Sequence, residues 1–383
     1  MNQILLRTDK GEYFGGEKVS GVVYLIIRSP TSGHGIKLKI RGYEKYWFED
    51  IQSTSSGESA ALERVKGHQE YVNCDFKLYQ STSGTIPRGQ YMYPFQYPLP
   101  QEIPGTFSLS GCEPAKWSGL VEYYVTAEVI GAESIKTTQP LVIYQAVPDL
   151  NKIDDPDPVK VTCEVRRMFG LLKGLLTVSA KLNRSAYHAG ETAVLNLGVE
   201  NRTSKRINKI TIKLIRDLNL AFKRPRSTST VSNSSTASAK SPQHGLLTFQ
   251  PEGGTRTVWG KILEGRNPKL LEKGLSKVFI PLAVADNTLN SNEIASTSNG
   301  EHIHCEYNVQ VEVSVDAVPT LDLKVPVHCI YHPPNKEWAE WSPPDWVFSC
   351  KCILSEKQRM LTQESLNSES FAGIPGFQVL GEN

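Results

Sequence analysis

His302-Ile303-His304-Cys305 and Cys350-Lys351-Cys352 are the densest metal-ligand types in the chain. Imidazole nitrogens and thiolates are what a tetrahedral zinc site uses. The spacing argues against one. Residues of H-x-H-C leave a strand on alternate faces, and C-x-C is tighter than the usual zinc pairing. Both stretches read as ordinary loop and tail residues, and no metal is expected. The motifs G-x-x-x-x-G-K-[ST], G-x-S-x-G and H-E-x-x-H are absent, so no catalytic residue, enzymatic activity or cofactor is expected. Other groups could bind. Lys37, Lys39, Arg41 and Lys45 form a basic row that could meet a phosphorylated tail or an anionic headgroup. Glu44 and Glu49 dilute it, and a solvated outer face is the plainer reading. Lys223-Arg224-Pro225-Arg226 precedes Ser227, Thr228, Ser229 and Thr230, a candidate regulatory loop. Phosphate there would add about −1.5 to −2 charges to a Ser-rich insertion between strands. Trp338, Trp341 and Trp346 fall within a Pro-rich tail. Exposed tryptophan is unfavourable unless it packs on something, so folding back onto the second half of the chain is expected.

The elements that position these groups are strands. Val19, Gly21, Val23, Leu25 and Ile27 share one face, and Ile36, Leu38 and Ile40 oppose Lys37, Lys39 and Arg41. Tyr307, Val309, Val311, Val313 and Val315 alternate with polar residues, as do Leu321, Leu323, Val325, Val327 and Cys329. Period 2 means strands buried on one face, and short strands between Gly, Pro and Ser clusters mean a sandwich. The best helical candidates are Ser59–Lys66 and Leu354–Leu366.

The 383 residues carry 42 Lys+Arg against 40 Asp+Glu, a net charge of +2. That balance excludes a chain built mainly as a nucleic-acid sleeve. No apolar run reaches the ~18 residues of a membrane span, and the N-terminus lacks a signal-peptide core, so a cytoplasmic location is expected. Seven scattered cysteines do not suggest a disulfide framework, and the sequons at Asn183, Asn201 and Asn233 read as chance.

The chain repeats itself. Tyr13-Phe14-Gly15-Gly16-Glu17 matches Tyr187-His188-Ala189-Gly190-Glu191 at an offset of 174, which also lays Ile36, Leu38 and Ile40 on Ile210, Ile212 and Leu214. Glu122-Tyr123-Tyr124-Val125 matches Glu306-Tyr307-Asn308-Val309 at an offset of 184, with the extra length placed at the Ser-rich run. Three matches in order, with parity kept, argue for two homologous sandwiches. The expected division is an N-lobe over 1–146, a Pro-rich linker over 147–158, a C-lobe over 159–331 and a Pro/Trp/Ser-rich tail over 332–383.

Two tandem sandwiches of this length resemble the arrestin superfamily. The resemblance rests on Tyr13-Phe14-Gly15-Gly16-Glu17-Lys18-Val19-Ser20-Gly21-Val22-Val23 and on Gly35 to Gly42. It rests most on Gly89-Gln90-Tyr91-Met92-Tyr93-Pro94-Phe95-Gln96-Tyr97-Pro98-Leu99-Pro100, followed by Pro104-Gly105-Thr106-Phe107. Tyr187 to Asn201 resembles the C-lobe entry. The nearest branch looks like the arrestin-domain-containing, or α-type, proteins. The resemblance implies an all-β fold of two immunoglobulin-like antiparallel sandwiches with a flexible C-terminal tail. It implies a non-catalytic adaptor or scaffold that links membrane receptor or transporter tails to endocytic, sorting or ubiquitination machinery. Recruitment to the plasma membrane or endosomes and peripheral membrane contact follow, and no nucleic acid. The alternatives are a retromer-like subunit of a sorting coat and a receptor-desensitising arrestin. Receptor-gating members sense phosphate with lysines in the first strand. Here that strand offers Arg7, with Lys10 beyond, and no lariat-like segment appears around 285–300. With Lys37, Lys39 and Arg41 these make the candidate anion contacts. Many α-type tails carry P-P-x-Y for WW domains of ubiquitin ligases. Pro343-Pro344-Asp345-Trp346 is the candidate partner-binding segment here, with tryptophan in the tyrosine's place.

Overall fold

The computed structural model describes residues 1–52, 61–111, 116–146, 156–166, 172–203, 205–222, 247–251, 255–264, 273–282, 294–316, 318–354, 371 and 374–376. The first lobe holds β1 (Gln3–Thr8), β2 (Glu12–Phe14), β3 (Lys18–Ile27), β4 (Thr31–Ser32), β5 (Gly35–Gln52), β6 (Ala61–Gln80), β7 (Thr85–Ile86), β8 (Gly89–Pro98), β9 (Phe107–Gly111), β10 (Trp117–Ile130) and β11 (Ala132–Tyr144). The second holds β12 (Val159–Arg166), β13 (Leu172–Leu182), β14 (Ala186–His188), β15 (Thr192–Asn201), β16 (Ile207–Phe222), β17 (Leu247–Phe249), β18 (Thr255–Glu264), β19 (Lys273–Pro281), β20 (Ser298–Asn299), β21 (Ile303–Val315), β22 (Val318–Val327) and β23 (Cys329–Tyr331). The short helix α1 (Lys336–Glu340), a 3-10 turn (Asp345–Ser349) and β24 (Lys351–Cys352) follow.

Each lobe is two packed sheets, as alternation requires. In the first, β1-β3-β8 faces β2-β11-β10-β5-β6. In the second, β12-β13-β15-β19 faces a sheet centred on β16 and β21. The inward rows are those the parity indicates. Val19, Val23, Leu25 and Ile27, then Ile36, Leu38 and Ile40, and later Val309, Val311 and Val313 are buried in one apolar core. The all-β fold of two antiparallel sandwiches expected from the sequence is what the chain adopts.

The repeated Y-x-x-G-E is one device used twice. Tyr13 Oη donates to Asp9 and accepts from the Lys10 amide, while Glu17 accepts from the Phe14 amide. Tyr187 Oη donates to Asn183 and accepts from the Arg184 amide, while Glu191 accepts from the His188 amide. Gly16 and Gly190 have φ of 84° and 98°, the left-handed region that glycine adopts without steric cost. Each turn delivers a three-residue strand, β2 or β14, that pairs in parallel with its lobe's last strand, β11 or β23.

Three local expectations change. Within the helical candidate Ser59–Lys66, the described part from Ala61 on is strand: Ala61–Gln80 pairs with β5 from Ala61 opposite Gln52 to Gln80 opposite Gly35. Cross-strand partners such as Arg64 and Glu49 override the local helical pattern. In β3 both faces are buried, not one, because the tail covers the outer face. That tail, expected on the second lobe, lies on the first, anchored over α1 to β24. Leu354–Leu366 lies outside the described residues after Leu354, as do Ser227, Thr228, Ser229 and Thr230, and linker positions 147–155.

Candidate functional site

The outer face of β1-β3-β8 is apolar where a solvated sheet would be polar. Leu5, Val22, Tyr24 and Met92 point outward, and the tail closes over them with Trp346, Val347, Phe371 and Ile374. Val347 is 0 % exposed. The backbone joins in: β24 adds to the β8 edge in parallel, Lys351 beside Tyr91 and Cys352 beside Met92. The Ile353 amide donates to Met92 O at 2.9 Å. Tyr24 Oη donates to Pro375 O at 2.5 Å. Burial drives the Tyr24 hydroxyl far above its usual range, pushes the Cys350 thiol up to about 12 and raises Cys352 too.

Arg7 holds the start of this strap. Its guanidinium lies 3.8 Å from the Trp338 ring centroid and 4.8 Å from that of Trp341, a double cation–π contact. Arg7 Nη1 donates to Trp338 O at 2.5 Å, and Trp338 Nε1 donates back to Thr8 O at 3.2 Å. The Asn335 amide donates to Glu12, and the Asn335 side chain caps α1 by accepting from the Trp338 amide. Gly11 lets the indole come close, since a Cβ there would lie 3.1 Å from it and the ring would have to give by a few tenths of an ångström. Burial lowers the Arg7 pKa, partly countered by Tyr24 and Tyr13.

The structure therefore separates the five candidate anion contacts. Arg7 is taken by the tail. Lys10 pairs with Glu17 at 3.0 Å, on the turn. Lys37, Lys39 and Arg41 do share the outer face of β5, but Lys37 and Arg41 both hold Asp75, and Lys39 holds Glu128 at 2.7 Å. Partial burial pushes the Asp75 carboxyl up, yet Lys37 and Arg41 together outweigh it and keep it below the usual carboxylate range. Lys213 pairs with Glu312 at 2.7 Å in the second lobe, the repeat equivalent of Lys39 with Glu128, which sequence reading missed. Of the candidate tail segment, Pro344 precedes the 3-10 turn and Trp346 is packed against the first lobe, while Pro343 is half-buried and Asp345 exposed. The metal-ligand types lie apart: His302 Nδ1 is on Ala221 O, His304 on Asn299, Cys305 is buried, and Cys350 and Cys352 sit on the other lobe.

Sequence reading also misplaced Glu44. It shares the inward parity of Gly42, Tyr46 and Phe48, and so does not dilute the basic row. It is 0 % exposed at the seam between lobes. The signal was there, an acid in an apolar slot.

Residues 3–144 match the family described as Arrestin (or S-antigen), N-terminal domain, and residues 172–335 match Arrestin (or S-antigen), C-terminal domain. The chain is 28% identical over 220 residues to Arrestin domain-containing protein A of Dictyostelium discoideum, covering 55% of this chain and 37% of that protein. It is 29% identical over 210 residues to Arrestin domain-containing protein 4 of Homo sapiens, covering 52% and 47%. With Arrestin domain-containing protein 1 of Mus musculus the figures are 24% over 226 residues, 58% and 48%. The matched stretch thus spans about half or less of these relatives.

Proposed function

The chain belongs to the arrestin family, through an N-terminal and a C-terminal arrestin domain in tandem, and from that premise we propose that it is a non-catalytic trafficking adaptor. Its cargo would be a membrane receptor or transporter tail, brought to endocytic, sorting or ubiquitination machinery. The observation that carries the reading is the outer face of β1-β3-β8, apolar and able to accept an added strand, as β24 does. With the strap released, a groove of that kind would hold an extended peptide by main-chain hydrogen bonds and select it by side-chain pockets. Relatives named for their arrestin domains support the reading.

The proposal includes the division into lobes at 1–146 and 159–331, a linker at 147–158 and a tail at 332–383. It is supported by strands β1–β11 pairing among themselves and β12–β23 likewise. It includes work in the cytoplasm with recruitment to plasma membrane or endosomes. No helix among the described residues is long and apolar enough to cross a membrane. A WW-domain ligase is a weaker second partner, because Trp346, which stands in the tyrosine's place, is packed against the first lobe. Lys37, Lys39 and Arg41 remain anion contacts only for a ligand that displaces Asp75 and Glu128. Proximity labelling in the native cell tests the whole reading. Receptors, transporters, ligases or coat proteins should be enriched over a control with Val23→Asp, which destroys the first lobe. Equal labelling by both would refute it.

A further inference from the structure

The seam between the lobes carries a polar latch. Glu44 lies on β5 of the first lobe with its carboxyl aimed into the turn that precedes β21 of the second. Oε1 accepts from the Ile303 amide at 2.5 Å, and both oxygens lie 3.2 Å from the His302 amide. Tyr71 Oη, from β6, donates to Oε2 at 2.7 Å and itself accepts from the Glu301 amide at 2.8 Å. Every group facing the carboxyl in these bonds donates, and the second-lobe donors are main-chain groups. Consecutive amides turned toward one acceptor form an anion-holding nest, and the first lobe supplies the anion. Gly300 makes the fit: a Cβ there would collide with Glu44 Oε1.

Elsewhere on the seam Ser296 Oγ of the second lobe donates to Thr106 O of the first, and the aromatic contacts are less directional. Phe48 stacks on Phe249 at 4.0 Å and meets Phe222 edge-on at 5.1 Å. Phe14 and Tyr144 meet His188 and Tyr331 in an aromatic cluster. Apolar and aromatic surfaces tolerate sliding, whereas two amides and a hydroxyl converging on one carboxyl fix position to within hydrogen-bond tolerance. We propose that Glu44, Tyr71 and the 300–303 turn form the latch that sets the angle between the lobes, and that breaking it frees their orientation while the aromatic contacts keep them associated. Both latch residues of the first lobe sit on the β5–β6 hairpin, so displacement of that hairpin is felt directly at the turn of the second lobe.

The test uses the full chain with one variant from each side of the seam, Glu44→Gln and Gly300→Ala. The amide of Gln would place a donor among donors, and the Cβ of Ala would push the carboxyl out. In each, hydrogen exchange of the 299–305 segment should quicken at least tenfold while β10 and residues 306–315 of β21 stay protected. Small-angle scattering should broaden beyond the wild-type curve. Tyr71→Phe should move both readings the same way by less. Unchanged exchange at 299–305 overturns the proposal. So does faster exchange with an unchanged scattering curve, which makes the contact local, and so does a joint loss of protection in β10 and residues 306–315 of β21, which makes Glu44 a folding determinant rather than a latch.

Discussion

Val347→Asp should lift the tail without unfolding the lobe beneath it. Val347 is fully buried among Val22, Tyr24, Met92, Phe371 and Ile374. Burying a valine is worth about 1.5–3 kcal/mol, and an unpaired carboxylate in an apolar site costs several kcal/mol more unless it escapes to water. Here escape is open, because the side chain belongs to the strap and not to the sheet. The penalty therefore falls on docking. A loss of about 4 kcal/mol shifts that equilibrium by roughly a thousandfold, at 1.4 kcal/mol per factor of ten. Alkylation of Cys350 reports it. Burial holds that thiol up at about 12, so little of it is the reactive thiolate near neutral pH. On undocking it should return to the ordinary thiol range near 8.5 and react far faster. Phe348→Asp is the control, since Phe348 is 61% exposed and should change nothing. A slow Cys350 in Val347→Asp, or a first lobe that melts at lower temperature with its β10 amides exposed, would refute the reasoning.

Three further outcomes follow from the packing. Val311→Asp or Val313→Asp buries an unpaired carboxylate between sheets and should cost several kcal/mol in denaturant unfolding, whereas Ser314→Asp, on the other face, should cost under ~1 kcal/mol; equal costs would mean the strand is buried on both sides. Tyr13→Phe and Tyr187→Phe should each lose about 1–3 kcal/mol by leaving an amide unpaired in the same turn, and a large effect in one lobe alone would break the structural equivalence. Asp75→Asn should cost under ~1 kcal/mol at neutral pH, because the pair is a third exposed. Since the folded pKa of Asp75 is lowered, its contribution is present above the unfolded value and lost as pH falls through the folded one. The variant and wild type should therefore converge in acid.

The strands were legible because one signal, the parity of Val19 to Ile27 or Tyr307 to Val315, fixes both element and inward face. What lies between sheets or segments far apart in the chain was not. The cation–π clasp joins Arg7 to Trp338, 331 residues away, and nothing local to either residue announces the other. The tail's destination has a physical cause that only the fold displays. Tyr331 ends the last strand of the second lobe already packed on Phe14 and Tyr144 of the first. The chain leaves at the seam, so a few residues carry Trp338 to β1. The basic row was read correctly as a face, but its cancellation by Asp75 depended on β6 being a strand, and the local pattern before it had suggested a helix. Glu44 was visible by parity and was counted instead as a neighbour in sequence.

The repeat itself says which lobe takes the strap. At the offset of 174, β3 falls on β15, Lys18–Ile27 on Thr192–Asn201. Inward positions remain apolar in both: Val19, Val23 and Val199, Leu197 and Leu25 serve the same core. The outward rows differ. Val22, Tyr24 and Ile26 in the first lobe correspond to Asn196, Gly198 and Glu200 in the second. An outward row facing water is selected to be polar or small, and one that is covered can be apolar. Apart from Val194, which lies at the offset position of Ser20, the second lobe's row meets the first condition and the first lobe's meets the second. Comparing the halves of the chain, rather than reading either alone, thus identifies β1-β3-β8 as the sheet with a partner on its outer face. On the same face of β12-β13-β15-β19, Phe279 is 61% exposed. The lobes share a framework but not a surface, and the difference is confined to positions that the shared core leaves free to change.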